Sequence, residues 1–166
     1  MAYYKQPLLT ESVSAVTATP SVELGTKRIV DGREYIYAYN AGGAQASQYL
    51  VVQRAAGAEG ESFTVTTTVD PYIAVMGVVH NATFTTATYG WLLKRGATRG
   101  IFADSNTTGP VAMAKYPNLH ACADGTVGPS TGGTGTTGIG AMFGRALSAV
   151  SDITGASFAM YVDCRG

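Results

Sequence analysis

Two histidines, His80 and His120, and two cysteines, Cys122 and Cys164, are this chain's candidates for metal or nucleophile chemistry. In His120-Ala121-Cys122-Ala123-Asp124, strand alternation would place His120, Cys122 and Asp124 on one face, where His80 or Cys164 could complete a tetrahedral site. Structural zinc is usually built from paired Cys-x-x-Cys or His-x-x-x-His spacings, and neither occurs, so no metal site is expected. A Cys–His nucleophile pair has no orienting group or oxyanion hole in view, and the Gly-x-Ser-x-Gly elbow is missing. Gly133-Thr134-Gly135-Thr136-Thr137-Gly138 spells the dinucleotide fingerprint, but the chemistry needs a strand before the glycines and a helix after them. Here Gly, Ser and Pro precede them and Ile139-Gly140-Ala141 follows, so no nucleotide cofactor is expected. No Lys-Ser or Lys-Thr follows a glycine run, which excludes a phosphate loop of the other kind. Asp31, Asp70, Asp124 and Asp152 stand in turn-like contexts, where an aspartate caps its own backbone. The reading is a non-enzymatic protein with no cofactor.

The elements that would hold any site are strands. At 166 residues the chain is about one domain long, and folding can bury roughly 69% of its surface. Eleven acidic and eleven basic residues cancel, and charged residues are only 13% of the chain. Neutrality argues against binding nucleic acid through bulk charge, and a 46% apolar, charge-poor chain needs either some other way to stay soluble or a partner to cover its surface. MAYYKQPLLTESVSAV lacks the apolar run of a secretory leader and no membrane-length apolar stretch follows, so assembly in the cytoplasm with reduced thiols is expected.

Thr26–Val30 and Arg33–Tyr39, joined by Asp31-Gly32, form the clearest local signal, a β-hairpin. Further short strands are expected at residues 49–54, 62–69, 74–79, 83–88, 91–95, 100–103, 111–115, 141–147 and 157–163. In the last of these Phe158, Met160 and Val162 share one face. Residues 44–48 and 148–153 are the best helical candidates, and 125–140 reads as a flexible Gly/Thr loop. Residues 1–24, interrupted by Pro20, read as an extended arm that is mobile in the free protein and precedes a single β domain over 25–166. The aromatics Tyr35, Tyr37, Tyr39 and Trp91 are assigned to core or interface rather than to a glycan platform.

Leu24-Gly25-Thr26-Lys27-Arg28, and then Asp31-Gly32-Arg33-Glu34-Tyr35-Ile36-Tyr37-Ala38, resemble the opening of small decoration proteins that bind the outside of tailed-bacteriophage heads. Gly140 through Gly144-Arg145-Ala146-Leu147-Ser148-Ala149, Gly155-Ala156-Ser157 and the closing Tyr161-Val162-Asp163 resemble the end of the same kind of cement protein. The resemblance implies an all-β fold, a small β-barrel or β-sandwich of β-tulip-like form, in a virion structural protein. It further implies attachment to the major capsid protein at the capsid surface, and a homo-oligomer with a trimer favoured. The apolar side chains of the arm, Tyr3, Tyr4, Leu8, Leu9, Val13 and Val16, are then the candidate capsid-binding residues, ordering against a sheet edge of the shell or a neighbouring copy. The competing reading is a carbohydrate-binding or host-adhesion module of a phage particle, which would need an exposed aromatic platform.

Overall fold

The computed structural model describes residues 12–42, 46–55, 62–64, 75–80, 83–101, 118–121, 126–129, 143–149 and 156–164. Among them the chain is all-β and contains no helix. The strands are β1 (Val16–Thr17), β2 (Lys27–Val30), β3 (Arg33–Asn40), β4 (Val51–Arg54), β5 (Ser62–Thr64), β6 (Val75–Val78), β7 (Tyr89–Ile101), β8 (Asn118–Ala121), β9 (Val127–Pro129), β10 (Gly144–Ala146) and β11 (Ser157–Asp163). They join into one sheet in the order β2-β3-β5-β4-β6-β7-β11-β10-β8-β9, with β1 beside β7 and a second, direct pairing of β3 with β7. All pairings are antiparallel except the short one between β3 and β5. The all-β class expected from the sequence is therefore present. Among the described residues the sheet is not closed into a barrel: there β6 meets β7 at Val78↔Leu93 and β5 meets β3 at Tyr39↔Ser62 and Asn40↔Phe63. Contacts that short do not make a continuous barrel wall.

The hairpin forms as its sequence requires. Asp31 (φ 50°) and Gly32 (φ 74°) both take positive φ, the signature of a two-residue turn whose twist matches that of the flanking strands. Register then follows from the turn, with Val30 opposite Arg33 and Lys27 opposite Ile36.

Strands β3 and β7 are the spine of the fold. Tyr35 and Tyr37 of β3, with Trp91 and Leu93 of β7, enter one core, together with Val51, Val78, Leu119, Val127, Phe143, Phe158, Met160 and Val162. The alternate residues Ile36, Ala38 and Leu92 enter a second core with Ala46, Val52, Met76, Val79 and Phe84. A ladder covered on both faces explains why Tyr35-Ile36-Tyr37-Ala38 and Trp91-Leu92-Leu93 are unbroken apolar runs.

The sequence reading placed separate strands at 91–95 and 100–103. One strand of 13 residues runs through instead. Gly96, the apparent break, is a bend within it: its φ of +134° and an irregularity in the β3–β7 register beside Arg95 redirect β7 from β3 towards β11. A glycine is needed there, since a Cβ would also lie 2.8 Å from Arg33 Cγ.

Other local expectations are revised. Of the 44–48 helix, the described residues 46–48 are not helical, and Ala46 bridges Phe84. Residues 83–88 are an isolated bridge followed by a turn, held by buried Asn40, whose Nδ2 donates to the Thr85 carbonyl (3.1 Å) while its Oδ1 accepts from Gly42 N (3.1 Å). The presumed loop begins with β9, which pairs with β8 and buries Val127 completely; its residues 130–140 lie outside the described residues, as do 111–115, 65–69 and most of 148–153.

Candidate interaction surfaces

Three surfaces bear on function: the N-terminal segment, the outer edge of the hairpin, and the uncovered face of the β7–β11–β10 sheet.

The segment Ser12–Leu24, read from sequence as the second half of a mobile arm, lies on the sheet. Val16 and Thr17 pair with Gly90 and Tyr89. Val13, Val22 and Leu24 pack against the first core and Val16 against the second. Tyr37 acts as the clasp: its buried phenol oxygen accepts from Ser21 N (3.1 Å) and Ser21 Oγ (3.0 Å). Thr17 Oγ1, which donates to the Thr19 carbonyl, lies 3.4 Å from the same phenol and is placed to accept its proton. The Tyr37 ring meets Trp91 edge-on at 5.1 Å and stacks with Tyr89 at 6.4 Å. Residues 12–24 thus lie packed on the chain's own sheet, with spaced single valines and Leu24 meeting the core. Of the candidate capsid-binding residues, Val13 and Val16 are half-buried against the chain's own core. Tyr3, Tyr4, Leu8 and Leu9 lie outside the described residues.

The aromatics are divided. Tyr35, Tyr37 and Trp91 are buried in the core, as assigned from sequence. Tyr39 is half-buried and packs on Tyr89 at 4.7 Å. On the outer hairpin strand Ile29 is 76% exposed, the only large exposed hydrophobic among the described residues, and beside it Lys27 Nζ stands 3.9 Å from Glu34 Oε1.

Sequence reasoning missed the third surface. From Arg95 onward, Arg95, Ala97 and Arg99 of β7 are exposed while Gly96, Thr98 and Gly100 are buried. Tyr161 of β11 stands opposite Ala97 and Ala159 opposite Arg99; on β10, Arg145 stands opposite Tyr161. Arg95, Arg99, Arg145 and Tyr161 thus share one face. Arg95 Nε donates to Tyr161 Oη (3.2 Å), and the Arg145 guanidinium lies 5.9 Å from the centre of the tyrosine ring. The signal that could have found this surface is the alternation in Arg95-Gly-Ala-Thr-Arg99, which was obscured by treating the glycine as a strand end.

The titratable groups are spread out. His80 Nδ1 is 2.6 Å from Thr98 Oγ1, its ring tilts against Tyr35 at 6.1 Å, and burial, helped by the Arg33 charge, lowers its pKa. Cys164 is a buried free thiol whose pKa burial pushes far up, against a smaller opposing effect of Lys94. A thiol held protonated is a poor nucleophile. Among the described residues no three His, Cys, Asp or Glu side chains come together as metal ligands. Cys122 and Asp124 lie outside those residues.

No family model matches the chain, and no curated protein does. Among solved structures, the head fiber gp8.5 N base of bacteriophage phi29 is similar with a TM-score of 0.45 and 14% sequence identity, over 78% of this chain and 94% of that one. A likeness at that distance carries no inference about function.

Proposed function

We propose that this chain is a non-enzymatic structural protein of a tailed-phage particle that binds the outer surface of the capsid and stabilises it by bridging capsid subunits, as a homo-oligomer with a trimer favoured. The resemblance of residues 24–38 and 140–163 to decoration proteins suggests the class. The observation that carries the mechanism is the anchorage of Ser12–Leu24: β1 pairing and the Tyr37 clasp tie this segment to the spine of the fold. Force applied to residues 1–11, with Tyr3, Tyr4, Leu8 and Leu9, is then delivered to the β3–β7 core rather than to a loose tether. Several such attachments per oligomer act together, so a weak individual contact becomes effective through multivalency. The glycan-binding alternative is less well supported, since of the aromatics considered for its platform Tyr35, Tyr37 and Trp91 are buried and Tyr39 is half-buried.

Electron microscopy of the phage's purified heads, with and without added protein, tests this reading. Density on the outer shell in icosahedral stoichiometry is expected, and it should vanish for a folded variant in which Tyr3, Tyr4, Leu8 and Leu9 are all replaced by serine. Heads that remain bare with the wild-type chain would sink the proposal.

A further inference from the structure

We infer that the outer face of the β7–β11–β10 sheet is a docking surface for a carboxylate-rich protein surface, centred on Arg95, Arg99, Arg145 and Tyr161. It deepens the reading above, resting on it for whose surface is bound but not for the chemistry.

The argument starts from an imbalance. The chain as a whole is neutral, yet three exposed arginines occupy one small patch of sheet; among the described residues the register places acidic neighbours beside Arg95 alone, Glu34 on β3 and Asp163 on β11, while Arg99 stands opposite Ala159 and Arg145 opposite Tyr161 and Asn118. Arg95 and Arg99 are four residues apart on one strand, about 13 Å, and Arg145 lies two strands away, about 10 Å. Ala97 lies between Arg95 and Arg99, Ala159 stands opposite Arg99, and Tyr161 fills the position between Ala97 and Arg145.

Two of the three cations are held in place before any partner arrives. Arg95 is fixed by its hydrogen bond to Tyr161 Oη, and Arg145 rests over the same ring. Preorganised side chains lose less entropy on binding, and a guanidinium presents a planar fork that takes a carboxylate through two parallel hydrogen bonds. Glutamates at alternate positions of an extended segment recur every 6–7 Å or so, so every second one falls in step with the Arg95–Arg99 spacing. Nucleic acid suits the patch less well, because three arginines neutralise few phosphates and the rest of a neutral chain adds no cationic track.

The test uses the full-length chain and a fluorescently labelled octaglutamate peptide, followed by anisotropy at 50 mM salt. Saturable binding is expected, weakened at least tenfold in Arg99→Glu/Arg145→Glu and less than twofold in Lys27→Glu, which reverses a charge on the distant hairpin. Arg99→Gln/Arg145→Gln should give the same ordering, and it decides the matter if the charge-reversed protein fails to fold. Absence of saturable binding by the wild-type chain overturns the inference. So does equal weakening by the Lys27 variant, or displacement of the peptide by an equimolar short DNA duplex. Loss of capsid binding in the arm variant with peptide binding intact bears on the proposed function alone.

Discussion

Strand β7 passes through two environments. From Tyr89 to Lys94 it is sandwiched, with Trp91 and Leu93 in one core and Leu92 in the other. From Arg95 to Ile101 it has one buried face, and its exposed residues alternate with buried ones. The first half shows what a sheet becomes when both sides are covered: from Gly90 to Leu93 every position is buried and none of these is left to meet a partner. The second half keeps a solvent-facing side on which charge can be arranged without cost to folding. The same backbone therefore serves as core in one half and as surface in the other, with Gly96 at the junction.

Alanine substitutions along β7 should break or uphold this contrast most directly. In the sandwiched half the neighbours Trp91→Ala and Leu92→Ala are both expected to destabilise, by about 3–5 and 2–5 kcal/mol respectively. Arg99→Ala in the other half should stay within about 0.5 kcal/mol. Chemical denaturation of the three variants measures this, and a tolerated Leu92→Ala would mean that the second face is not a true core.

The junction comes next. Gly96→Ala forces a side chain into a backbone region that L-residues avoid and against Arg33 Cγ, for an expected loss of about 1–3 kcal/mol. Unchanged stability would show that the two halves do not depend on this bend.

A smaller effect concerns His80, whose Nδ1 meets Thr98 Oγ1 on the buried side of the second half. Its folded pKa lies below the ordinary 6.5, so as pH falls through about 6.5 the unfolded chain takes up the proton first. Stability should be fully present above that value and decline below it until the folded form also protonates. Thermal midpoints between pH 7.5 and 5 should therefore fall in the wild type, and the part of the decline due to His80 should disappear in His80→Asn.

The smallest expected effect is that of Tyr161→Phe. It removes the acceptor of Arg95 from an open face and should change stability by less than about 0.5 kcal/mol. The octaglutamate peptide should nevertheless bind more weakly, since Arg95 loses its fixed position. Undiminished binding would mean that the face is not preorganised.

How far the sequence reached can be followed residue by residue. The hairpin was legible because Asp31-Gly32 encodes its turn locally, and β11 because Phe158, Met160 and Val162 alternate cleanly above a single core. The arginine face was not legible. It depends on Arg145 lying beside Tyr161 and Tyr161 beside Ala97, pairings between segments far apart in the chain that no local pattern specifies. Val127 was missed for a similar reason: amid glycines and threonines its composition reads as loop, while pairing with β8 makes it core.

By itself, the sequence determined the all-β class, the hairpin with its register and the inward set of β11, because backbone sterics and side-chain alternation act over a few residues. Only the tertiary structure decided that Ser12–Leu24 is clasped by Tyr37, that β7 runs unbroken through Gly96, and that three arginines gather on one face. Each of these rests on which distant strands become neighbours, a choice made by burying apolar surface across the whole chain rather than by any short stretch of it.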